Sequence, residues 1–368
     1  MKKRKLLFLI QELETGGAQR VCVNLANYFA AQGDSVAIAL LFHKKQTIYS
    51  LHPAIRIINV PPLRFGRHIA VYLFRIQLFF QNFKPDTVIA FMWHANVFAS
   101  IFAKITGIPA ILSERSNPLK AELDETLVRL GKVYFPYASC VVVLNKGIIN
   151  FFQNEMGISP NQIIVIPNAA AKPSLVKQEK IYPFPYCLAV GRLQHVKGFD
   201  RLIAMFSKVL QQHPEEHLVI CGVGAEKKNL ELLAEELQIF DRVIFAGECR
   251  DLAPYYRYAD ALLFTSHYEG WPNVILEAMS YGLPPIAFDC CYGPAEMIHH
   301  EINGLLIPQD DCGAFVRETN AYLNNLDIKR VFYSKNCLRT VENFTFDKVF
   351  NLWNVAINSV LRNSSGGN

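Results

Sequence analysis

Short, largely apolar runs recur along this chain, separated by stretches with helical spacing. In the first half the runs fall at residues 6–10, 35–42, 55–60, 87–91, 110–113, 140–144 and 163–166. All but 55–60, which Arg56 and Asn59 interrupt, have the length and hydrophobicity of a strand buried on both faces of a parallel sheet. Between the first two, Val21, Leu25, Ala26 and Phe29 repeat at helical period until Gly33 stops them. Residues 68–83 and 95–106 carry helical patterns as well. Residues 172–185 are rich in Pro, Lys and Ser and show no period, as a linker does. The alternation then restarts, with strands expected at 187–190, 218–221, 243–246, 260–264, 285–288 and 304–307. Helices are expected at 199–212 and 226–237, and a last one at 346–361.

Strands alternating with helices in two consecutive halves predict an α/β chain of two Rossmann-like, doubly wound parallel-sheet domains facing a cleft. The expected bounds are 1–170 for the first domain and 171–345 for the second. Residues 346–368 form a final helix, with the option of packing back on the first domain, and a frayed tail. Composition agrees: of 368 residues, 51% are hydrophobic and 19% charged, enough core material for two domains. The net charge of +5 is too small to argue for nucleic acid, but suits anionic substrates or an anionic membrane surface. Nine cysteines occur without a CxxC pair, which argues against a zinc knuckle or disulfide framework and favours a reducing cytoplasm. The basic N-terminus is followed by an apolar run too short for a signal peptide, and no run reaches the length of a membrane span.

The densest chemistry lies after the expected strand at 260–264, in Thr265-Ser-His-Tyr-Glu-Gly-Trp-Pro-Asn-Val274 and the helical pattern that follows. Glu269 sits in a loop, Glu277 in the helix eight positions later, and Pro272 where a helix can begin. Gly270, Asn273 and Val274 lie at the positive end of that helix, a natural seat for phosphate. A second loop, Gly191-Arg-Leu-Gln-His-Val-Lys-Gly198, carries Arg192 and Lys197 between a strand and a helix, two cations that can converge on a diphosphate. Gly222 and Gly224 end a third strand with small residues. Gly16 and Gly17 open the first helix without forming GxGxxG, so they allow either close approach of a ligand or an ordinary turn. At the end of the second strand, Leu40-Leu-Phe-His43 lacks the acidic residue that a nicotinamide dinucleotide would want.

In this order and spacing, the residues resemble the retaining family-4 glycosyltransferases, which use nucleotide sugars on the two-Rossmann GT-B scaffold. The resemblance is carried by Gly16-Gly-Ala-Gln-Arg20, Gly191-Arg-Leu193 with Lys197-Gly198, and Glu269 through Glu277. Ser280-Tyr-Gly-Leu-Pro284, Gly293-Pro-Ala-Glu296 and Asn303-Gly-Leu-Leu306 also match, so it spans nearly the whole chain. Ser113-Glu-Arg-Ser-Asn-Pro118 is similar to the bacterial branch that builds surface polysaccharides and lipid-linked oligosaccharides. The resemblance implies that Arg192 and Lys197 neutralise a departing nucleoside diphosphate, UDP by family frequency. It places Glu277 at the ribose and Glu269 at the donor sugar. Gly270 to Val274 would lie near phosphate or sugar, and Gly17 would make room for the diphosphate. His94 fits the slot of an active-site histidine or is a packed one. Glu114 and Arg115 would contact the acceptor or form a structural pair.

The expected reaction moves a hexose or N-acetylhexosamine from the nucleotide sugar to a saccharide, lipid-linked or free. Same-face attack, with the leaving phosphate taking the acceptor's proton, needs no protein base. Double displacement through Glu269 is the competing route. No Asp-x-Asp and no His/Cys cluster at ligand spacing is present, so neither a metal nor another cofactor is expected. Residues 68–84, apolar and aromatic with Arg64, Arg67, Arg75 and Lys84 around them, suit either a core helix or an interfacial membrane contact. Two readings compete with a transferase: an epimerase or phosphorylase on the same scaffold, or a non-catalytic sugar-nucleotide-binding protein.

Overall fold

The computed structural model describes residues 3–14, 16–41, 49–59, 83–115, 117, 124–173 and 179–365. The chain divides into two compact units, residues 1–168 with 349–368, and residues 169–348. The expected helix at 68–83 lies outside the described residues except for Phe83, and so does the aromatic stretch to residue 82.

In the first unit, the apolar runs form β1 (Lys5–Ile10), β2 (Ser35–Leu40), β3 (Arg56–Asn59), β4 (Thr87–Phe91), β5 (Ala110–Ser113), β6 (Cys140–Val143) and β7 (Ile163–Val165). All are parallel, in the order β3-β2-β1-β4-β5-β6-β7. The order reverses between β1 and β4, the switch point at which open α/β sheets place ligands. The helices are α1 (Gly17–Ala31), α2 (Trp93–Thr106), α3 (Glu125–Tyr134) and α4 (Ile149–Asn154). Asp124 caps α3 by accepting from the backbone N–H of Thr126 and Leu127. Alternate residues of β1 serve opposite faces. Leu7 and Leu9 join a core with Trp93, Phe102 and Phe135, whereas Phe8 stacks against Phe91, 6.2 Å between centroids.

That second face is closed by the last helix, α12 (Phe346–Ser365). Val349, Phe350, Trp353, Ala356, Ile357 and Val360 are buried at helical spacing. Trp353 lies 6.0 Å from Phe91, and Phe350 lies 4.7 Å from Tyr28. Arg4 ties the helix down by donating to Asn354 Oδ1 at 2.7 Å and Asn358 Oδ1 at 2.9 Å. It also pairs with Asp34.

The second unit contains β8 (Tyr186–Val190), β9 (His217–Cys221), β10 (Val243–Gly247), β11 (Leu262–Phe264), β12 (Pro285–Phe288) and β13 (Leu305–Ile307). They are parallel in the order β10-β9-β8-β11-β12-β13, with the switch point between β8 and β11. The flanking helices are α5 (Phe199–Val209), α6 (Lys227–Glu236), α7 (Ala253–Tyr258), α8 (Asn273–Ser280), α9 (Pro294–Met297), α10 (Cys312–Leu323) and α11 (Leu326–Val341). Gly222 packs so closely on Gly191 that a Cβ would overlap its carbonyl oxygen. All nine cysteines are free. Among the described residues no helix is long and apolar enough to cross a membrane.

At the amino ends of these strands Glu216 and Asp260 are buried together. Asp260 accepts from Arg330 Nη1 at 2.7 Å, while Glu216 Oε1 has no hydrogen-bond partner. Burial, then the charge of Asp260, pushes the Glu216 carboxyl up to about 8. Burial raises Asp260 too, against the pull of Arg330.

Two outcomes follow from this packing. Trp353→Ala should cost roughly 3–5 kcal/mol, the range for emptying a large aromatic site in a core; denaturant unfolding monitored on the first unit checks it. Glu216 holds its proton in the folded chain between its unfolded value, near 4.5, and about 8. Over that window the unfolded chain binds fewer protons, so stability should fall as pH rises, by at most about 1.4 kcal/mol per pH unit from this group. Glu216→Gln should flatten that slope in denaturation curves taken between pH 5 and pH 8, and parallel curves for the two proteins would refute it.

Candidate active site

The β8 and β11 loops leave adjacent strands on either side of the second switch point, and the backbone locks them together. His267 N donates to Val196 O at 2.8 Å, and Thr265 Oγ1 donates to Gly198 O at 2.9 Å. Gly198 has φ +62, and a Cβ there would run into the Thr265 carbonyl oxygen, so this approach requires glycine. A short 3-10 turn, His195–Lys197, then α5 carry the chain away.

This arrangement brings Lys197 Nζ to 2.6 Å from Glu269 Oε1, with both side chains largely sheltered. Ser266 Oγ donates to the same oxygen at 2.7 Å. The Glu269 backbone is held from both sides: its N–H donates to Cys291 O at 2.8 Å, and its carbonyl accepts from Tyr292 N at 3.0 Å. Arg192, in the same loop as Lys197, is exposed and has no ion pair among the described residues. The rings of His195 and His267 stack at 4.9 Å, one from each loop. Burial, then Arg201 and His195, push the His267 imidazole below its ordinary range, against the pull of Asp200 and Asp310.

Helix α8 begins at Asn273 with Pro272 in the cap position, so Gly270, Asn273 and Val274 lie at its positive end. Asn273 N donates back to Trp271 O at 3.0 Å. One turn further on, Glu277 Oε2 accepts from Tyr256 OH of α7 at 3.1 Å. Arg192, Lys197, Gly222, Glu269, Gly270, Asn273, Val274 and Glu277 thus all belong to the loops and helix starts at the carboxyl edge of one sheet. The combination suits an anionic leaving group: two cations of adjustable distance, a helix start, and a carboxylate where positive charge could develop.

The first-unit residues cluster at the carboxyl ends of β1, β4 and β5. Tyr49 OH fixes Gly16, accepting from its N–H at 3.1 Å and donating to its carbonyl at 3.0 Å. Gly17 is the first residue of α1. His94 is the second residue of α2 and half-buried; burial holds its imidazole below the ordinary range, with Asp124 pulling the other way. Glu114 is only 2% exposed. Its Oε1 accepts from Arg115 N at 3.0 Å and its Oε2 from Asn96 Nδ2 at 3.4 Å. The Arg115 guanidinium donates to Ser113 Oγ at 2.8 Å and Asn168 Oδ1 at 2.9 Å, beneath Trp353 at 5.3 Å. Burial pushes Arg115 down to about 9.

Two family models tile the chain. Glycosyltransferase Family 4 matches residues 15–170, and Glycosyl transferases group 1 matches residues 172–336. The chain belongs to this family of glycosyltransferases. An uncharacterized glycosyltransferase of Haemophilus influenzae is 28% identical over 95% of the chain and 99% of its own length. A Campylobacter jejuni alpha-1,4-N-acetyl-D-galactosaminyltransferase, named for a GalNAc-bearing diNAcBac-PP-undecaprenol, is 27% identical over 95% of the chain and 97% of its own length. Anabaena HepE, solved in complex with UDP, superimposes with a TM-score of 0.80 at 19% identity, over 96% of the chain and all of HepE. That likeness establishes the GT-B fold.

Three residues of this glycosyltransferase's site escaped the sequence reading. Ser266 and Thr265 carry hydroxyls that fix Glu269 and the β8 loop, and Tyr256 holds Glu277. Ser266 lies three positions before Glu269, a spacing that could have flagged it. Tyr256 lies on another helix and gave no local signal.

Proposed function

We propose that this glycosyltransferase moves a hexose or N-acetylhexosamine from a nucleotide sugar, a UDP-sugar, to a saccharide acceptor with retention of configuration. The observation that carries this reading is the Lys197–Glu269 contact at the switch point, with Arg192 in the same loop as Lys197. Breaking the sugar–phosphate bond leaves negative charge on the diphosphate and positive charge on the sugar. Arg192 and Lys197 neutralise the first, and Glu269 faces the second. Glu277, oriented by Tyr256, binds the ribose hydroxyls. Before donor arrives, Lys197 is neutralised by Glu269; the diphosphate offers it a competing partner and leaves the carboxylate for the sugar.

Acceptor attack on the same face, its proton passing to the departing phosphate oxygen, completes transfer without a dedicated base. His94, whose imidazole burial shifts below its ordinary range, is a polar contact for sugar hydroxyls. The two cations supply the electrophilic assistance a metal would give, so turnover proceeds without one. The named substrate of the Campylobacter relative favours a lipid-linked saccharide in bacterial glycan assembly, reached by peripheral contact with the inner membrane face.

The test is a donor screen that reads nucleotide release, with bacterial lipid extracts as acceptor and with chelator present throughout. Release of UDP from one UDP-sugar is expected. Lys197→Ala should lower kcat by about a hundredfold to a thousandfold, the range for losing one charge-stabilising donor, while thermal unfolding still reports a folded chain. A folded, fully active Lys197→Ala protein, or an enzyme revived only by Mg²⁺ or Mn²⁺, would overturn the reading.

A further inference from the structure

Arg201 lies one turn into α5, outside every motif that marks the site, and its guanidinium reaches back to the β11 loop. Nε donates to Thr265 O at 2.8 Å, and Nη2 donates to Ser266 O at 2.9 Å and also to Thr265 O. Nη1 pairs with Asp310, beyond the end of β13. The guanidinium carbon stands 4.5 Å from the centre of the Phe288 ring. The Arg201 side chain is 12% exposed, against 69% for Asp310. The planar fork therefore has two jobs: an ion pair at the rim, and a clamp on two successive carbonyls inside.

Those carbonyls belong to the two residues that hold the charge pair. Ser266 presents its hydroxyl to Glu269 Oε1, and Thr265 presents its hydroxyl to Gly198 O and, at 3.3 Å, to Lys197 O. One guanidinium thus fixes the backbone from which both the carboxylate and the backbone of its lysine are placed. We propose that Arg201 is a positioning residue: it sets the Lys197–Glu269 geometry through Thr265 and Ser266, without touching donor or acceptor. The proposal rests on reading Lys197 and Glu269 as the groups that face the donor. Lysine cannot replace the arginine fully, because one ammonium lacks the rigid fork that spans two carbonyls while stacked on a ring.

The test compares Arg201→Gln and Arg201→Lys in the wild-type chain and in the Ser266→Ala chain. It reads kcat and donor KM from nucleotide release, and Tm from thermal unfolding. Arg201→Gln should lower kcat by about a hundredfold, the scale of a misplacement near 1 Å, with little change in donor KM. Arg201→Lys, which keeps the stem and the charge, should recover part of that loss at near wild-type Tm. In the Ser266→Ala chain the Ser266 arm is already cut and only the Thr265 arm remains, so the further loss from Arg201→Gln should be smaller than in the wild-type chain. Equal losses in both backgrounds, a loss that follows Tm, or unchanged kcat in a folded Arg201→Gln protein would overturn the proposal. Glu269→Gln, assayed alongside, separates the two levels: wild-type turnover there overturns the site reading itself, and this proposal with it.

Discussion

A lysine and a glutamate from adjacent parallel strands meet across the switch point of the second sheet, and the rest of the site depends on that contact. The two side chains are 20% and 14% exposed, so neither charge is fully solvated. Bringing them together costs desolvation that their attraction must offset, and such a pair is poor evidence for stability. Its value lies in placement. The loops that carry it are joined by a backbone hydrogen bond, by a glycine that alone allows their approach, and by the Thr265 hydroxyl.

The sheet supplies the logic of the site. Parallel strands with covered faces leave their carboxyl edge as the place where loops are free to diverge, and the reversal of strand order opens a crevice there. The second unit places Lys197 and Arg192 after β8 and Glu269 after β11, on the two sides of its reversal. The first unit repeats the scheme: Gly16 and Gly17 follow β1, and His94 follows β4. The same topology thus builds two sets of loops, each at a reversal of strand order. Lys197, Arg192 and Glu269 flank the second reversal, while glycines and a half-buried histidine flank the first.

Much of this was legible in the residues alone. The strands were readable because parallel strands buried on both faces are continuous apolar runs, as in β1 and β4. Glu269, Glu277, Arg192 and Lys197 were readable because family spacing marks them within single loop–helix units. Helix α11 was not, because Ile328, Val331, Phe332 and Leu338 lie on its exposed face and blur the amphipathic period. The Asn96–Glu114 and Tyr256–Glu277 contacts were invisible for another reason: they join side chains from different elements, so no local pattern encodes them. Glu114 illustrates the cost. It looked equally suited to an acceptor or to a structural role, and its depth and its bonds to Asn96 and the Arg115 backbone emerge only from the packing.

The most direct measurement of the central claim is the position of Lys197 Nζ in a crystal structure with UDP bound. The account predicts the diphosphate over the Gly191–Gly198 loop, with Lys197 hydrogen-bonded to a phosphate oxygen and drawn away from Glu269. A nucleotide bound elsewhere, or one that leaves the Lys197–Glu269 pair intact and out of reach of phosphate, would contradict it.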